Sequence, residues 1–457
     1  MLKNMSQPVD MTVGAPWKGI ISFTLPMLIG NIAQQLYATV DSIVVGRYIG
    51  DNALAAVGSS TPILTMILAL FIGVSGGAGI MASQYFGARN RESLSYSVGN
   101  SIVATIFCCL FLMIFATPFI YPVLKVLNTP ETIIDECTNY LTISVLGIGG
   151  LGFYNILSGI IRALGDSFSA LIYLLVATVI NIALDIFFVA KLNMGVGGVA
   201  LATVIAQFIS AGLCLYKLYK MTEYFDMKKR YFKPSKKYIM TIIRLGLPSG
   251  LTQAIMSSAM IVVQSLTNCF GELFIAANVV IMRVDGFAMM PNFSFGMSLT
   301  TYSGQNVGAG LYDRVTKGAR QGTFIAVLCS TVITGIILLF GKGLMGVFTE
   351  TQELVDMSYN LMKILAAGYI AVAVSQSLSG IMRGAGDTMT PMWISLITTV
   401  LLRVPIAYGI SYATRTEALP YGIKECIHIS LLASWVIGAL LTVIFYLKGN
   451  WKKKKLS

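Results

Sequence analysis

Residues Leu157–Val189 read LSGIIRALGDSFSALIYLLVATVINIALDIFFV, and 221 positions later Leu378–Ile410 read LSGIMRGAGDTMTPMWISLITTVLLRVPIAYGI. Leu, Ser, Gly, Ile, Arg, Gly and Asp recur in register across the first ten places, which marks a duplicated chain. The copies then diverge. The first continues into an apolar run of membrane-spanning length that carries Asn181 and Asp185, four residues apart and so on one helical face. The second has Leu402 and Ile406 there. A carboxylate in a lipid-spanning helix is costly and rare, so this helix is expected to carry the working chemistry.

The composition agrees with a membrane setting. With 56% apolar residues, 11% charged residues and a mean hydropathy of +0.76, 457 residues cannot build a soluble core wrapped in a charged surface. The net charge of +12 would suggest a nucleic-acid partner in a soluble chain. Here the placement of the charges matters more than their sum, and no nucleic-acid partner is expected. Seven scattered cysteines, among them Cys108, Cys109, Cys214 and Cys329 within apolar runs, read as free thiols that behave as small hydrophobes. The opening MLKNMSQPVDMTVGAPWKG lacks the pattern of a cleavable signal peptide, so the first hydrophobic run is expected to stay in the chain.

Apolar runs predict spans near 17–46, 53–83, 95–121, 132–161, 168–190 and 194–219, and again near 238–268, 273–303, 318–340, 353–382, 389–413 and 425–447. The fold class expected is an all-α polytopic membrane protein of twelve transmembrane helices in two six-helix lobes. Residues 1–220 form the first lobe, 221–237 a basic linker and 238–457 the second lobe with a basic tail. Basic residues assign the sides: 23 of the 32 Lys and Arg fall at the termini and in loops after even-numbered spans. By the positive-inside rule both termini and the linker are then cytoplasmic. Six spans per copy is an even number, so the copies run parallel, related by a pseudo-twofold axis along the membrane normal and enclosing a cavity. Leu25-Pro26 pairs with Leu247-Pro248, Gly50 with Gly271, and Gln84–Ala88 (QYFGA) with Gln305–Ala309 (QNVGA).

Together these segments resemble the multidrug and toxic compound extrusion (MATE) transporters, bacterial type. The resemblance is carried by TLPMLIGNIAQQLYATVDSIVVGRYIG at Thr24–Gly50, the QYFGA and QNVGA turns, and the LSGI-R--GD element in both copies. It implies a two-lobe antiporter of the bacterial plasma membrane, not an enzyme, that exports amphipathic and often cationic drugs in exchange for H⁺ or Na⁺. No organic cofactor is implied, and the chain is expected to be monomeric in membrane lipid. The family's cation site falls on Asp41, Asn181, Asp185 and Thr203, with Tyr140 and Asn155 as further members of its network and Pro26 as a helix hinge. One family feature is missing. Some Na⁺-coupled members place a Glu in span 7, and GLPSGLTQAIMSSAMIVVQSL at Gly246–Leu266 has no acid.

Three acids lie well inside spans: Asp41, Asp185 and Asp285. Two carboxylates meeting in a low-dielectric pocket cannot both ionise without taking up a proton or a cation, which would couple Asp41 and Asp185 to ion flow. The Asn181 amide and Thr203 hydroxyl add neutral oxygens that suit Na⁺ and a protonated carboxyl alike; the bland alternative is that they only tie helices together. Asp285 is expected to pair with Arg403, as a structural lock or a second charge site. Gln34, Tyr37, Met256, Met282, Arg283, Asp285 and Met289 are candidate lining of a substrate cavity, since thioethers repack around different ligands. Arg162–Asp166 and Arg383–Asp387 read as pairs that order loops, and Gly73, Gly76, Gly77 and Gly79 as close helix packing. The terminal WKKKK reads as an anchor facing anionic lipid. No metal site beyond Na⁺ is expected, because the single histidine, His428, has no ligand companions. Two competing functions frame the test. A lipid-linked saccharide flippase would need an arginine-lined cavity, and only Arg283 and Arg403 lie inside spans; a membrane enzyme would need a catalytic set that the sequence does not offer.

Overall fold

The computed structural model describes residues 8–127 and 129–453, except for the side chains of 37–44, 47, 51, 52 and 54. In chain order its helices are α1 (Pro16–Tyr48), α2 (Asp51–Gly87), α3 (Arg91–Ala116), α4 (Ile120–Val126), α5 (Glu131–Leu146), α6 (Ile148–Ala163), α7 (Ser167–Ile186) and α8 (Gly195–Lys220). They continue as α9 (Lys236–Asn268), α10 (Glu272–Gly308), α11 (Tyr312–Gly346), α12 (Gln352–Ala366), α13 (Gly368–Gly384), α14 (Met389–Leu396), α15 (Arg403–Ala413) and α16 (Cys426–Lys448). Among the described residues nine helical segments are long and apolar enough to cross a membrane, and eleven when the bent pairs α5–α6 and α12–α13 each count as one span. The 33-residue α1, with side chains only partly described, makes the twelfth long segment. Apolar side chains left exposed along α3, such as Phe107, Phe111, Ile114 and Phe115, suit an acyl-chain solvent and not water. The chain is an integral membrane protein.

The bends at Gly147 (49°) and Ala367 (45°) sit at matching places in the two repeats. At Gly147 a Cβ would lie 2.2 Å from the Val204 side chain, so the bend brings α8 where only glycine fits.

The repeated LSGI-R--GD element is a helix stop followed directly by a helix start. Gly165 (φ 96°) and Gly386 (φ 95°) take the left-handed conformation past the ends of α6 and α13. The amides of Asp166 and Asp387 then bond back to the carbonyls of Ile161 and Met382, at 3.1 and 2.9 Å, closing a Schellman-type turn. The same aspartates begin the next segment. Asp166 accepts from the Ser169 N–H (2.8 Å) and Ser169 Oγ (2.7 Å), and Asp387 accepts from Thr390 Oγ1 (2.7 Å). The expected Arg162–Asp166 and Arg383–Asp387 ion pairs do not form among the described residues. Each carboxylate is committed to capping, and Asp166 finds its cation instead in Lys217 of α8, at 2.9 Å.

The chain divides into two compact units. One takes the residues up to Asp10 with Leu25–Gly250; the other takes Met11–Thr24 with Leu251 onward. This differs from a division at 220 and 238, because both α1 and α9 are split between units. Packing explains the assignment of residues 221–250. Gly73 of α2 and Gly246 of α9 approach so closely that a Cβ on Gly246 would lie 2.2 Å from the Gly73 carbonyl oxygen. The linker is also built into the first unit. The Arg91 guanidinium donates to the carbonyls of Thr222 (2.6 Å) and Glu223 (2.8 Å) and to Asp226 Oδ1 (2.9 Å), while Asn100 receives the Ser235 N–H at 2.7 Å. The hydrogen bonds from Arg91 hold the Asp226 carboxyl below the usual carboxylate range. In the second unit the Met11 N–H donates to Gln305 (2.9 Å), and Arg314 donates to the Val13 carbonyl (2.6 Å). Met11–Thr24 is thereby tied to α10 and α11.

Candidate functional site

In the first unit Asp185 and Asn181 lie one turn apart near the end of α7, each 1% exposed. With its amide oriented so that every contact joins a donor to an acceptor, Asn181 Nδ2 donates to Asp185 Oδ2 at 2.8 Å. The Asn181 oxygen then accepts from Thr203 Oγ1 of α8 at 3.3 Å. Three of the residues singled out from sequence are thus brought into one hydrogen-bonded set. Directly after Asp185 the helix widens into a π-type turn, Phe187–Lys191, of the kind that often accompanies a functional site.

Tyr140 of α5 is buried in a cluster with Val189, Val196, Val199, Ala200 and Val45. Val45 brings α1 into that cluster, and Asp41 stands one turn earlier in the same helix. The side chains of Asp41 and Tyr37 fall outside the described residues. Asn155 is engaged elsewhere: its amide donates to the Leu151 carbonyl of its own helix at 2.8 Å, and its backbone carbonyl accepts from Ser75 Oγ at 2.7 Å. Pro26 lies inside α1, as Pro248 lies inside α9.

In the second unit the Tyr369 hydroxyl of α13 donates to Asp285 Oδ1 of α10 at 2.8 Å. Tyr369 is fully buried, against Trp435 and the Met362 sulfur. Arg403 makes no ion pair with Asp285; its Nε is buried without a hydrogen-bond partner among the described residues. A π-type turn, Ile397–Leu402, directly precedes Arg403 and shifts its register on the helix, and the carboxylate is met instead by Tyr369, directly after the α12–α13 bend. Met289 is buried in the core of this unit, whereas Gln34, Met256, Met282 and Arg283 are exposed. His428 is buried edge-on to Phe274, and no group of three possible metal ligands occurs among the described residues.

The MatE family profile matches residues 26–187 and, a second time, residues 248–409. The chain belongs to the MatE family. The two matches start at Pro26 and Pro248, so the MatE module is the repeat already visible in the sequence. Among MatE-related proteins, the "probable multidrug resistance protein YoeA" of Bacillus subtilis is 28% identical over 448 residues, 96% of this chain and 95% of that one. The "probable multidrug resistance protein NorM" of Thermotoga maritima is 26% identical over 442 residues, 96% of this chain and 93% of its own. A crystal structure of MATE in the straight conformation, 24% identical, superposes with a TM-score of 0.89 over 98% of this chain and all of that one. That likeness shows a shared fold.

Tyr369 and Lys217 were not among the residues the sequence pointed to. Neither has a local signal, because each partner is reached only through tertiary packing, across 84 positions for Tyr369 and Asp285.

Proposed function

We propose that this MatE protein is a secondary antiporter that exports amphipathic, often cationic organic compounds against an inward flow of H⁺ or Na⁺, by alternating access of its two units. The observation that carries the reading is Asp185, a carboxylate 1% exposed within an apolar helix, held at 2.8 Å by Asn181. Keeping such a group charged in a dry site requires a bound cation, and keeping it neutral requires a bound proton. Ion occupancy and the free energy of that site are therefore linked, which is what coupling needs. The position of Val45 within the Tyr140 cluster supports Asp41, one turn away, as the second carboxylate. Thr203 completes the oxygen set in this proposal, with Tyr140 behind it; Asn155, bonded within its own helix, is left outside.

Gln34, Tyr37, Met256, Met282, Arg283 and Asp285 are proposed to contribute to substrate recognition, with the exposed thioethers supplying adaptability, while Met289 packs the core behind them. The relatives named as multidrug resistance proteins support export of drugs as the physiological direction. The basic excess supports a bacterial plasma membrane location with both termini in the cytoplasm, and the protein is proposed to act as a monomer. The test is drug counterflow in proteoliposomes under an imposed Na⁺ gradient, an imposed pH gradient, or neither. Uptake driven by one gradient supports antiport and identifies the ion. Equal uptake with and without a gradient rejects it.

A further inference from the structure

At one end of the second unit, the start of α11 and the chain beyond α16 enclose a cleft of about 420 Å³. Its chemistry changes along its length. Arg320 and Lys452 stand at the mouth, both exposed and neither in an ion pair among the described residues. The back wall is a built aromatic pair. Trp451 is buried, stacks on Tyr446 at 5.4 Å and 14°, and donates its indole N–H to the Tyr446 carbonyl at 3.0 Å. Lys452 Nζ lies 5.6 Å from the Trp451 ring centroid, which fixes the lysine stem over the wall. One turn further along α11, Thr323 lines the cleft; its Oγ1 has no accessible surface and no hydrogen-bond partner among the described residues, so a χ1 rotation brings it to a ligand. Beyond it the lining is apolar and outward-facing: Phe324 is 67% exposed and Leu447 74%. Leu328 and Leu440 continue the strip toward the middle of their helices.

Two cations, one orphan hydroxyl and then hydrocarbon is the order of groups in a phospholipid: phosphodiester, glycerol ester, acyl chain. The surroundings select for negative charge. Within 312–324 and 440–453, the stretches that supply most of the lining, Arg314, Lys317, Arg320, Lys448, Lys452 and Lys453 stand against one acid, Asp313. We propose that this cleft is a binding site for an anionic glycerophospholipid of the adjacent leaflet, with the phosphodiester on Arg320 and Lys452, the ester region at Thr323 and one acyl chain along Phe324 and Leu447. A free phosphate would use the mouth and leave the apolar strip without a role, so the lipid is the occupant.

The experiment is native mass spectrometry of the full chain in detergent, titrated with dioleoyl phosphatidylglycerol and, separately, with dioleoyl phosphatidylcholine. Each interfacial cation favours an anionic lipid by about fivefold, so the parent protein is expected to prefer phosphatidylglycerol by roughly thirtyfold. Arg320→Gln with Lys452→Gln brings that ratio close to one, whereas Lys228→Gln with Lys229→Gln, exposed in the linker of the first unit, leaves it unchanged. Both cleft cations are exposed, and an unchanged gel-filtration profile checks that the double variant folds. If it does not, each single substitution is expected to lower the preference about fivefold. Three results overturn the proposal: no preference in the parent, an equal loss in the control pair, or displacement of the lipid by excess inorganic phosphate.

Discussion

The repeated element makes a prediction in which one motif position should behave differently in its two copies. Gly159 and Gly380 are the same glycine of LSGI, 221 residues apart. A Cβ on Gly159 would lie 2.4 Å from the Ser75 hydroxyl, the end of a side chain that can rotate away. Rotation breaks the bond from Ser75 Oγ to the Asn155 carbonyl, and Gly159→Ala is expected to cost about 1 kcal/mol, the net value of one hydrogen bond. A Cβ on Gly380 would lie 2.3 Å from the backbone oxygen of Gly296 and 3.1 Å from its carbonyl carbon. No rotamer relieves that contact. Helices α10 and α13 must separate by roughly 1 Å, which forfeits a quarter to a half of the dispersion energy at each contact along the seam. The cost is expected at the top of the range for overpacking, about 3 kcal/mol. The two variants thus differ by about 2 kcal/mol, or roughly thirtyfold in the folded-to-unfolded ratio. Reversible unfolding in mixed micelles, followed by tryptophan fluorescence, reads this difference. Equal destabilisation by the two substitutions, or a milder effect at Gly380, would show that the α10–α13 backbone contact does not set the cost.

Three further outcomes follow from other features. Asp166→Ala removes both the cap of α7 and the acid paired with Lys217, and should cost about 2 kcal/mol in the same assay, with Asp166→Asn costing less because the capping oxygen stays. The Asp226 carboxyl is held below its usual range by Arg91, so the unfolded chain binds more protons there; the resulting stability is present above about pH 5 and lost as pH falls through the depressed pKa. Thermal unfolding scanned across that acidic window should show a smaller acid loss in Arg91→Gln than in the parent. Finally, a four-variant cycle of Tyr369→Phe and Asp285→Asn should return a coupling of about 1–2 kcal/mol, whereas the Asp285–Arg403 cycle should return less, since no direct bond joins that pair.

Much of the fold could be read from periodicity. Each of the twelve expected spans lies inside, or within a residue of, a helical segment of the structure, because a bilayer demands long apolar runs and this chain has few others. The Asn181–Asp185 adjacency was equally readable, being a four-residue spacing on one helix. What could not be read depends on surfaces meeting. Gly73 and Gly246 are ordinary glycines until their backbones touch, and that touch assigns half of α9 to the first unit. The bend at Gly147 and the two π-type turns interrupt runs whose hydropathy is unbroken, so no compositional change announces them. Charge was a poor guide to pairing. Arg162 is four residues from Asp166, yet the carboxylate caps a helix and takes its cation from Lys217. Thr203 entered only through family resemblance, as nothing in its own helix distinguishes it from a packing threonine.

In the proposed antiport, the carboxylate of Asp185 is the group through which ion flow drives export. Gradient-energised efflux of a fluorescent cationic drug should be compared, at matched membrane insertion, between vesicles carrying the parent and vesicles carrying Asp185→Asn. The substitution preserves shape and polar contact while removing the titratable, cation-binding charge. Efflux is expected to fall to the level of vesicles without the protein, while drug binding to the purified variant persists. Undiminished gradient-driven efflux by a folded Asp185→Asn protein would rule out ion coupling through this carboxylate.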